Sequence, residues 1–527
     1  MTKQSNQSMT DLSHNPLTRR TVLGGMAASS ALLLPGMRTA RAETPKPGGR
    51  FRIGVSGGAT TDSLDPATFA SEFMTLLAFS MSNHLIEITA EGDLAGELAE
   101  SWEASDDAAT WRFKLRSGVT FHDGRPLTVD DVILSLRHHM GEDSNSAIKS
   151  NLAPITDLSA DGDTVVFELE AGNADFPYIF SDYRLPILPA KDAILDIESG
   201  IGAGPYRLEA FEPGVRALLT KNPEYWKSDR AHFDEVELVV VLDGAARQNA
   251  LVTGEVDAIT AVEPRTSALM ARQDGVQLIE VTGRLHHSWP MRVDIAPFDN
   301  VDFRLAIKHA LDRQELLDKI HYGRGSVGND QPISAAYEYW ADLEQRTQDL
   351  DRARHHFQKS GVSTETPIEL HVSEGAYAGA VASGELIVEH LAQAGISLSL
   401  VRAPRDGYWS NVWRTQAWCA AFWYGRPTID WMMTSGYSAD SPFNDTGWQN
   451  ARFNELLVTA RSELDRAKRG EMYQEMQTLV RDDAATPITT FANFVMAARD
   501  NVAFPDTLSG TYALDGGKAV ERWWFSS

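Results

Sequence analysis

The sequence has 527 residues, a formal net charge of −25, 43% hydrophobic residues and a single cysteine. A chain of this length can bury a large core and is expected to form more than one domain. Its acidic surface would repel nucleic acid and anionic membranes, so neither is expected as a partner. Because Cys419 is the only cysteine, an intrachain disulfide and a cysteine-cluster metal site are excluded, and we expect that thiol to be buried.

The first 42 residues have the pattern of an export signal. The pair Arg19-Arg20 precedes a weakly hydrophobic run, Val22–Leu34, which is too short to span a membrane. Residues 40–42, Ala-Arg-Ala, fit the small-x-small rule for signal-peptide cleavage. We therefore predict a twin-arginine signal over residues 1–42. Because this segment carries five basic residues and one acidic residue, the 485 residues after it would have a net charge of −29.

The chain after the predicted signal begins with a strand and a polar loop. Arg50–Val55 has the pattern of a strand, and residues 56–65 form a loop rich in Gly, Thr and Ser that ends at Asp65. Gly54-x-Ser56-x-Gly58 formally matches the nucleophile elbow of hydrolases. That motif requires a helix directly after the turn. A long polar loop follows instead, so we interpret the match as chance.

Residues 84–189 predict a small unit without concentrated reactive groups. Trp102–Leu115 has the pattern of a hairpin, and Thr164–Leu169 has the alternation of another strand. Thr128 and Asp131 have the spacing of a capping box at the start of a helix. We expect the pair His138-His139 to lie at the solvated end of that helix.

Gly202–Trp226 is predicted to form a buried hairpin. Gly202 and Gly204 allow a close approach of the backbone to another segment. Alternating residues on either side of a turn at residues 212–214 predict the two strands. Tyr225 and Trp226 then supply a large apolar plug.

The second half of the chain predicts an α/β unit followed by an aromatic-rich segment. Val301–Ile320 is predicted as one amphipathic helix. Ile368–Val372 and Ile396–Val401 flank a helix in a βαβ pattern, and Thr489–Ala497 is predicted as one buried strand. Residues 408–431 contain five tryptophans, which indicates an apolar-walled pocket with few charged groups, although about half of these rings are expected in ordinary core.

An ordered set of short motifs gives the chain a family resemblance. G-x-GPY-x-L at residues 202–208, followed by NP-x-YW at residues 222–226, resembles the signature of the dipeptide/oligopeptide/nickel class of ABC-transporter solute-binding proteins. Matching pieces occur in the family's order over almost the whole chain after the leader: Leu98–Trp102, Trp111–Leu115, Phe121–Gly124, Asn249–Leu251, Gly254–Ile259, Pro297-Phe298 and Ala310–Arg313.

The resemblance implies an α/β, two-lobed periplasmic-binding-protein fold with a hinge, an interlobe ligand cleft and an extra small domain. It divides the chain into lobe I (residues 43–83, 190–283 and 491–527), extra domain II (84–189) and lobe III (284–490). It implies a monomeric periplasmic receptor, without enzyme activity or cofactor, that delivers a peptide or peptide-like solute to an ABC permease in the inner membrane. Because relatives take peptides, opines, sugars, nickel complexes and haem, a metal complex or an opine-like or other anionic solute is the alternative.

The residues themselves support neither an enzyme nor a metal site. The sequence contains no His-Glu-x-x-His motif, no Walker A loop and no second cysteine. The histidine pairs at 138/139, 286/287 and 355/356 are the only support for a metal. Adjacent side chains point in different directions on a strand or a helix, so they rarely chelate one ion together, and we predict no metal site.

The predicted solute-binding residues are Asp65, Trp289, Trp423, Tyr424, Arg426 and Asp430. The resemblance places the loop that ends at Asp65 at the mouth of the cleft. Peptide-binding relatives usually carry an acidic residue near a Gly-Asp-Pro element, where it pairs with the ligand's ammonium. Here the comparable stretch is Trp-Tyr-Gly-Arg-Pro at residues 423–427, with Arg426 where an aspartate is expected.

Three interpretations of Arg426 stay open from the sequence. Asp430 could bind the ammonium and leave an ordinary peptide site. Arg426 could instead bind a carboxylate, since the planar guanidinium offers a carboxylate two hydrogen bonds. In the third interpretation Arg426 points to solvent or pairs with Asp430.

Overall fold

The computed structural model describes residues 45–363, 368–404, 408–441 and 443–526. The predicted export signal lies outside these residues. Within them, every helix is too short or too polar to cross a lipid bilayer.

Strands and helices alternate along the chain, as expected for an α/β protein. The strands are β1 (Arg50–Val55), β2 (Ile86–Ile88), β3 (Leu94–Gly96), β4 (Ala99–Ala104), β5 (Thr110–Leu115), β6 (Ile155–Asp161), β7 (Thr164–Leu169), β8 (Ala190–Lys191), β9 (Ile194–Leu195), β10 (Tyr206–Glu212), β11 (Arg216–Lys221), β12 (Glu235–Val240), β13 (Ala258–Ile259), β14 (Val276–Val281), β15 (His286–Ser288), β16 (Gly325–Val327), β17 (Ile368–Val372), β18 (Leu398–Arg402), β19 (Ala421–Trp423), β20 (Ile488–Ala492), β21 (Phe494–Arg499), β22 (Val502–Ala503) and β23 (Trp524–Phe525). The α-helices are α1 (Glu72–Met81), α2 (Val129–Met140), α3 (Lys149–Leu152), α4 (Phe176–Ile179), α5 (Gly244–Thr253), α6 (Ser267–Met270), α7 (Val301–Ala310), α8 (Arg313–Ile320), α9 (Leu350–Ser360), α10 (Ala380–Gln393), α11 (Tyr408–Asn411), α12 (Ile429–Tyr437), α13 (Ala451–Ser462), α14 (Arg466–Asp483), α15 (Ala513–Gly516) and α16 (Ala519–Arg522).

The largest sheet is assembled from three separate stretches of the chain. Its strand order is β10-β11-β12-β1-β13-β21-β14. β1 runs parallel to β12 and β13, whereas β21 pairs antiparallel with β13 and β14. Fully buried Phe51, Tyr206, Leu238 and Trp523 belong to its core, which we call the first core.

A second, antiparallel sheet has the order β4-β5-β7-β6 and packs against α2. The predicted hairpin and capping box are confirmed: β4 pairs with β5, and Thr128 and Asp131 cap each other's backbone N–H groups. The solvated position predicted for His139 is wrong, because its ring is buried and its Nδ1 lies 2.7 Å from the Ser146 hydroxyl. Phe113, Phe167 and Phe176 belong to the second core beneath this sheet.

The third region contains a sheet of order β16-β20-β15-β19 and the parallel pair β17-β18. The predicted βαβ unit is confirmed, with α10 between β17 and β18. The single helix predicted over residues 301–320 is wrong. Leu311 is extended, and Asp312 starts a new helix by accepting the Glu315 N–H at 2.9 Å, so two helices form. The third core in this region contains Ile307 and Trp418, and the fourth core, which contains Tyr473, Met432 and Met433, lies beside this sheet.

The chain passes twice between the seven-stranded sheet and the four-stranded sheet that contains β15. The first passage lies between β14 and β15, and the second lies between β20 and β21. The single strand predicted over residues 489–497 is therefore wrong, because Asn493 separates two strands that belong to different sheets. Two neighbouring chain connections of this kind are the usual construction of a hinge.

The segment 202–226 joins the first two cores. A Cβ atom on Gly202 would lie 2.0 Å from the Met81 carbonyl oxygen, and one on Gly204 would lie 2.4 Å from the Met81 carbonyl carbon, so the predicted close approach is confirmed. Tyr225 packs on the first core and Trp226 on the second. The Trp226 indole also donates a hydrogen bond to Asn83 at 2.9 Å.

A buried ionic network lies next to this joint. Lys227 Nζ contacts Glu87 at 2.5 Å, Glu97 at 2.8 Å and Glu521 at 3.0 Å. Lys518 contacts the first two glutamates, at 3.1 and 2.8 Å. Burial alone would raise the pKa of Glu97, but Lys227 and Lys518 hold it well below its usual range. The network ties the C-terminal segment to the strands that lead into the second sheet.

Candidate functional site

The candidate site is centred on the segment that follows β19. β19 is an edge strand of its sheet, and residues 425–427 continue from it. The Arg284 side chain holds this segment, since its Nη1 donates to the Pro427 carbonyl at 2.9 Å and its Nη2 to the Ala336 carbonyl at 3.0 Å. A Cβ atom on Gly425 would lie 2.0 Å from the Arg284 Cβ, so only glycine allows this approach.

Arg426 is fixed by its backbone while its side chain stays free. Its N–H donates to the Tyr337 hydroxyl at 3.1 Å. Its guanidinium carbon lies 5.8 Å from the centroid of the Trp423 ring. Among the described residues the guanidinium makes no hydrogen bond or ion pair, and burial lowers the pKa of Arg426 below its ordinary value. A half-buried positive charge without an anion is costly, which makes it a candidate for binding an anionic ligand.

Three of the residues that affect the pKa of Arg426 electrostatically come from outside residues 284–490, namely Asp182, Arg184 and Tyr512. Arg184 is already neutralised, because its Nη1 lies 3.1 Å from both carboxylate oxygens of Asp182. Its guanidinium also stacks over the Tyr183 ring at 4.3 Å. Of these two arginines, Arg426 alone lacks an anionic partner within the described ranges.

Tyr424 has a similar position, open to water yet surrounded by protein. Its side chain is 56% exposed, but desolvation by nearby protein raises the pKa of its phenol to about 12, and Glu72 and Tyr183 add to the effect. Glu72 Oε2 accepts the Ser56 N–H at 3.1 Å and the Thr260 hydroxyl at 2.8 Å. A side chain that is accessible to water but has protein groups around it lies in a cleft rather than on a convex surface.

Asp430 lies in a different contact from Arg426. It is buried and paired with Arg461, whose Nε lies 3.3 Å from its Oδ1. Burial raises the pKa of Asp430 to about 6, although Arg461 opposes this shift. The pairing of Asp430 with Arg426, which was one part of the third interpretation, is therefore not formed in the structure.

Close to Asp430, the second and fourth cores touch. Arg469 Nη2 lies 2.7 Å from Asp175 Oδ1, and these side chains are 8% and 13% exposed. The Ala174 N–H donates to the Arg461 carbonyl at 2.7 Å. Trp431, on α12 of the fourth core, packs against the second core. These contacts join the two cores at α12, the helix that follows the segment containing Tyr424 and Arg426.

Comparisons with known proteins identify the family of this chain. The profile described as "Bacterial extracellular solute-binding proteins, family 5 Middle" matches residues 93–447. The chain belongs to family 5 of the bacterial extracellular solute-binding proteins. Its fold is the two-lobed α/β fold of periplasmic binding proteins, as the solved structures below show.

Individual relatives of this family 5 protein differ in what they bind. Di/tripeptide-binding protein 1 of Pseudomonas aeruginosa (strain UCBPP-PA14) is 24% identical over 432 residues, which cover 75% of this chain and 80% of the relative. The PBP AgaA from A. tumefaciens R10, in complex with agropinic acid, superposes with a TM-score of 0.77 at 23% identity, covering 91% of this chain and 99% of that chain. NikA from Staphylococcus aureus, in complex with Ni(L-His)2, has a TM-score of 0.73 at 18% identity, covering 90% and 99%.

Three other predicted site residues of the family 5 protein have structural partners. Asp65 accepts the Ala67 N–H at 2.9 Å and lies 2.6 Å from His138 Nε2. Trp289 is fully buried and donates to the Thr489 hydroxyl at 3.2 Å, so it offers no surface to a solute in this conformation. Trp423 is largely buried in the fourth core and donates to Asp445 at 3.1 Å.

The two histidines of the pair 286/287 have separate ring partners. His287 stacks on Tyr377 with ring centroids 3.8 Å apart, while the other member of the pair, His286, packs against Phe491. Over the described ranges, one group of acidic residues has metal-ligand spacing, namely Glu87, Glu97 and Glu521. Lys227, Lys518 and Arg522 already pair with the carboxylates of that group.

Sequence reasoning missed the residues opposite Arg426. Glu72, Tyr183, Arg184 and Tyr512 are scattered over more than 400 positions, and none lies in a local motif. Arg284 was missed as well: it lies in the first chain passage, between β14 and β15, and its side chain donates to the Pro427 carbonyl.

Proposed function

We propose that this protein is the periplasmic receptor of an ABC importer and that it captures a peptide or peptide-like small solute through a carboxylate bound to Arg426. The observation that carries the proposal is that the guanidinium of Arg426 is half-buried and yet makes no hydrogen bond or ion pair within the described residues. Permease delivery and periplasmic location follow from membership of the family. The similarity to AgaA with bound agropinic acid supports an anionic group on the solute.

Asp430 is unsuited to the alternative role of binding an ammonium group. Asp430 is 7% exposed, and its carboxylate is paired with Arg461, which would have to be displaced. Glu72 is better placed for a cationic or donor group, because all its hydrogen bonds within the described residues reach Oε2 and leave Oε1 available. The site therefore suits a solute that presents a carboxylate to one side of the cleft.

The proposed mechanism is closure around the solute. The seven-stranded sheet region (residues 43–83, 190–283 and 491–527) acts as lobe I, residues 84–189 as the extra domain and residues 284–490 as lobe III. A solute that contacts both sides stabilises the closed form by its differential affinity for that form. The permease then recognises the closed receptor, and ATP is hydrolysed by other subunits.

The test begins by identifying the solute. Native mass spectrometry of the purified protein should show a co-purified small molecule, and its mass distinguishes a peptide-like acid from a metal complex. Calorimetry with that molecule should then show that Arg426→Ala weakens binding by about 2–5 kcal/mol, the usual loss when one partner of a buried charge pair is truncated.

Two matched variants make the test specific. Arg426→Lys keeps the charge but loses the planar fork, so it should recover only part of the affinity. Asp430→Ala should act mainly on stability, through the loss of its pairing with Arg461. Normal binding by Arg426→Ala together with loss of binding by Asp430→Ala would refute the carboxylate site.

We also propose that the protein is exported by the twin-arginine route. The support is the pair Arg19-Arg20 ahead of a weakly hydrophobic run. Replacing both arginines by lysine should trap the precursor in the cytoplasm. Undiminished periplasmic accumulation of that variant in cell fractions would contradict the route.

A further inference from the structure

A continuous series of aromatic rings leads away from the cleft. Tyr424 contacts Phe422 with ring centroids 4.9 Å apart, and Phe422 contacts Trp409 at 5.4 Å. Trp409 contacts Trp413 at 5.6 Å, and Trp413 contacts Phe443 at 6.3 Å. We call these five residues the aromatic row.

The aromatic row is unusually open for so much apolar surface. Tyr424 is 56% exposed, Trp409 39% and Phe443 51%, while the nearby Trp418 is fully buried. Exposed apolar area costs roughly 25 cal/mol per Å² relative to burial. Contiguous patches of this kind mark binding sites on soluble proteins.

The aromatic row is also held in place before any ligand arrives. Trp413 donates its indole N–H to Asp445 Oδ2 at 3.3 Å, and Trp423 donates to the same oxygen at 3.1 Å. The Asp445 carboxylate is therefore directed into the protein and fixes the orientation of the rings above it. Because the polar atom of Trp413 is already bound, this part of the row offers ring faces and edges rather than hydrogen bonds.

The aromatic row begins at Tyr424, two residues before Arg426 and directly after the last residue of edge strand β19. Phe422 lies on β19 and Tyr424 directly follows this strand, and because their ring centroids are 4.9 Å apart the two rings lie on the same side of the chain. A solute held at Arg426 would have its remaining atoms next to these rings. This continuity identifies the occupant as the rest of the solute rather than a separate partner.

We propose that the aromatic row binds a ring of the solute whose carboxylate binds Arg426, so that the solute class is a carboxylate joined to an aromatic, heterocyclic or pyranose ring. The proposal rests on the carboxylate site described above. Rings suit this surface because flat faces stack on indole and phenyl rings at little cost in conformational entropy. A solute with a short aliphatic chain would leave most of the row exposed.

The experiment uses four probes that separate the two groups. N-acetyl-L-tryptophan has a ring and a carboxylate, N-acetyl-L-alanine lacks the ring, and N-acetyl-L-tryptophanamide lacks the carboxylate. D-glucuronate carries a pyranose in place of the indole. Binding to the full chain is measured by ligand-observed NMR at millimolar concentrations, where weak fragments are still detected.

One of the ring-bearing carboxylates should bind about tenfold more tightly than N-acetyl-L-alanine, a difference of about 1.4 kcal/mol. Trp409→Ala should remove most of that advantage and leave N-acetyl-L-alanine unaffected. The matched control is Tyr322→Ala, which removes an exposed ring outside the row (56% exposed) and should change neither value. Whether the indole or the pyranose is preferred identifies the kind of ring.

The measured affinities test both the ring site and the carboxylate site. Equal affinities for probes with and without a ring, or no binding of either ring-bearing carboxylate, would overturn the proposal. An unchanged ring advantage in both Trp409→Ala and Phe443→Ala would also overturn it and would leave these rings as a contact for the permease or a second copy. Loss of affinity in Arg426→Ala for the three carboxylate probes, with N-acetyl-L-tryptophanamide unaffected, supports a single solute that binds both Arg426 and the aromatic row. If Arg426→Ala binds all probes normally while Trp409→Ala does not, the carboxylate site fails but the ring site stands.

Discussion

Replacing Asp175 by Asn should open the ligand-free protein. Asp175 adjoins Phe176 of the second core, and its partner Arg469 lies on the same helix as Tyr473 of the fourth core. The ion pair between them is 2.7 Å long and nearly buried. It joins the two sides of the molecule without any solute, so it should favour the closed arrangement.

The size of the effect follows from the contacts that survive the substitution. Truncating one member of a buried charge pair costs about 2–5 kcal/mol. Arg469 keeps the Ala460 carbonyl at 3.1 Å and the Tyr473 hydroxyl at 3.2 Å, so its charge is not left unpaired by hydrogen bonds. We therefore expect a loss of about 2 kcal/mol, which multiplies the ratio of open to closed protein by about 30.

Small-angle scattering of the ligand-free protein measures this change directly. Asp175→Asn should have a larger radius of gyration than the unmodified protein and should compact on addition of the co-purified solute. Its apparent affinity should fall by up to the same factor, because the binding-competent form is less populated. Asp161→Asn is the control, since Asp161 also forms an ion pair, with Arg112, but is 68% exposed. Superimposable scattering curves for all three proteins would refute the role of this contact.

The other predictions concern stability and reactivity. Lys227→Met should lower the free energy of unfolding in urea by about 3–5 kcal/mol, because Glu97 would stay buried with fewer cations around it. The control is Lys319→Met, whose side chain is 61% exposed in a surface ion pair and should cost at most about 1 kcal/mol. Equal losses in the two variants would contradict the importance of burial. Burial raises the pKa of Asp445 to about 6, so its contribution to stability is present below pH 4 and is lost as the pH rises through 6. Asp445→Asn should therefore gain stability relative to the unmodified protein over that range, by up to about 1.4 kcal/mol per pH unit, and a pH-independent difference would refute the shift. Burial also raises the pKa of Cys419 to about 12, so a thiol reagent should react only after unfolding, and rapid labelling of the native protein would contradict its position.

Local chemistry explains which parts of the fold could be predicted from the sequence. The capping box at Thr128 and the close approach at Gly202 each depend on residues within a few positions, or on an absent side chain, and both were confirmed. The burial of Cys419 was also confirmed. The two errors at Leu311 and Asn493 have one cause. Continuous apolar periodicity does not show where the chain changes direction or moves to another sheet.

The site illustrates the same limit at longer range. The sequence could identify Arg426 as unusual, because it occupies a position where an aspartate is expected. It could not show that the guanidinium is free, since this depends on where the nearby carboxylates find their partners. Asp430 pairs with Arg461, which is 31 positions away, and Asp182 pairs with Arg184 on the opposite side of the cleft. Both of these carboxylates thus have other partners, and within the described residues Arg426 is left without one, which is the basis of the proposed carboxylate site.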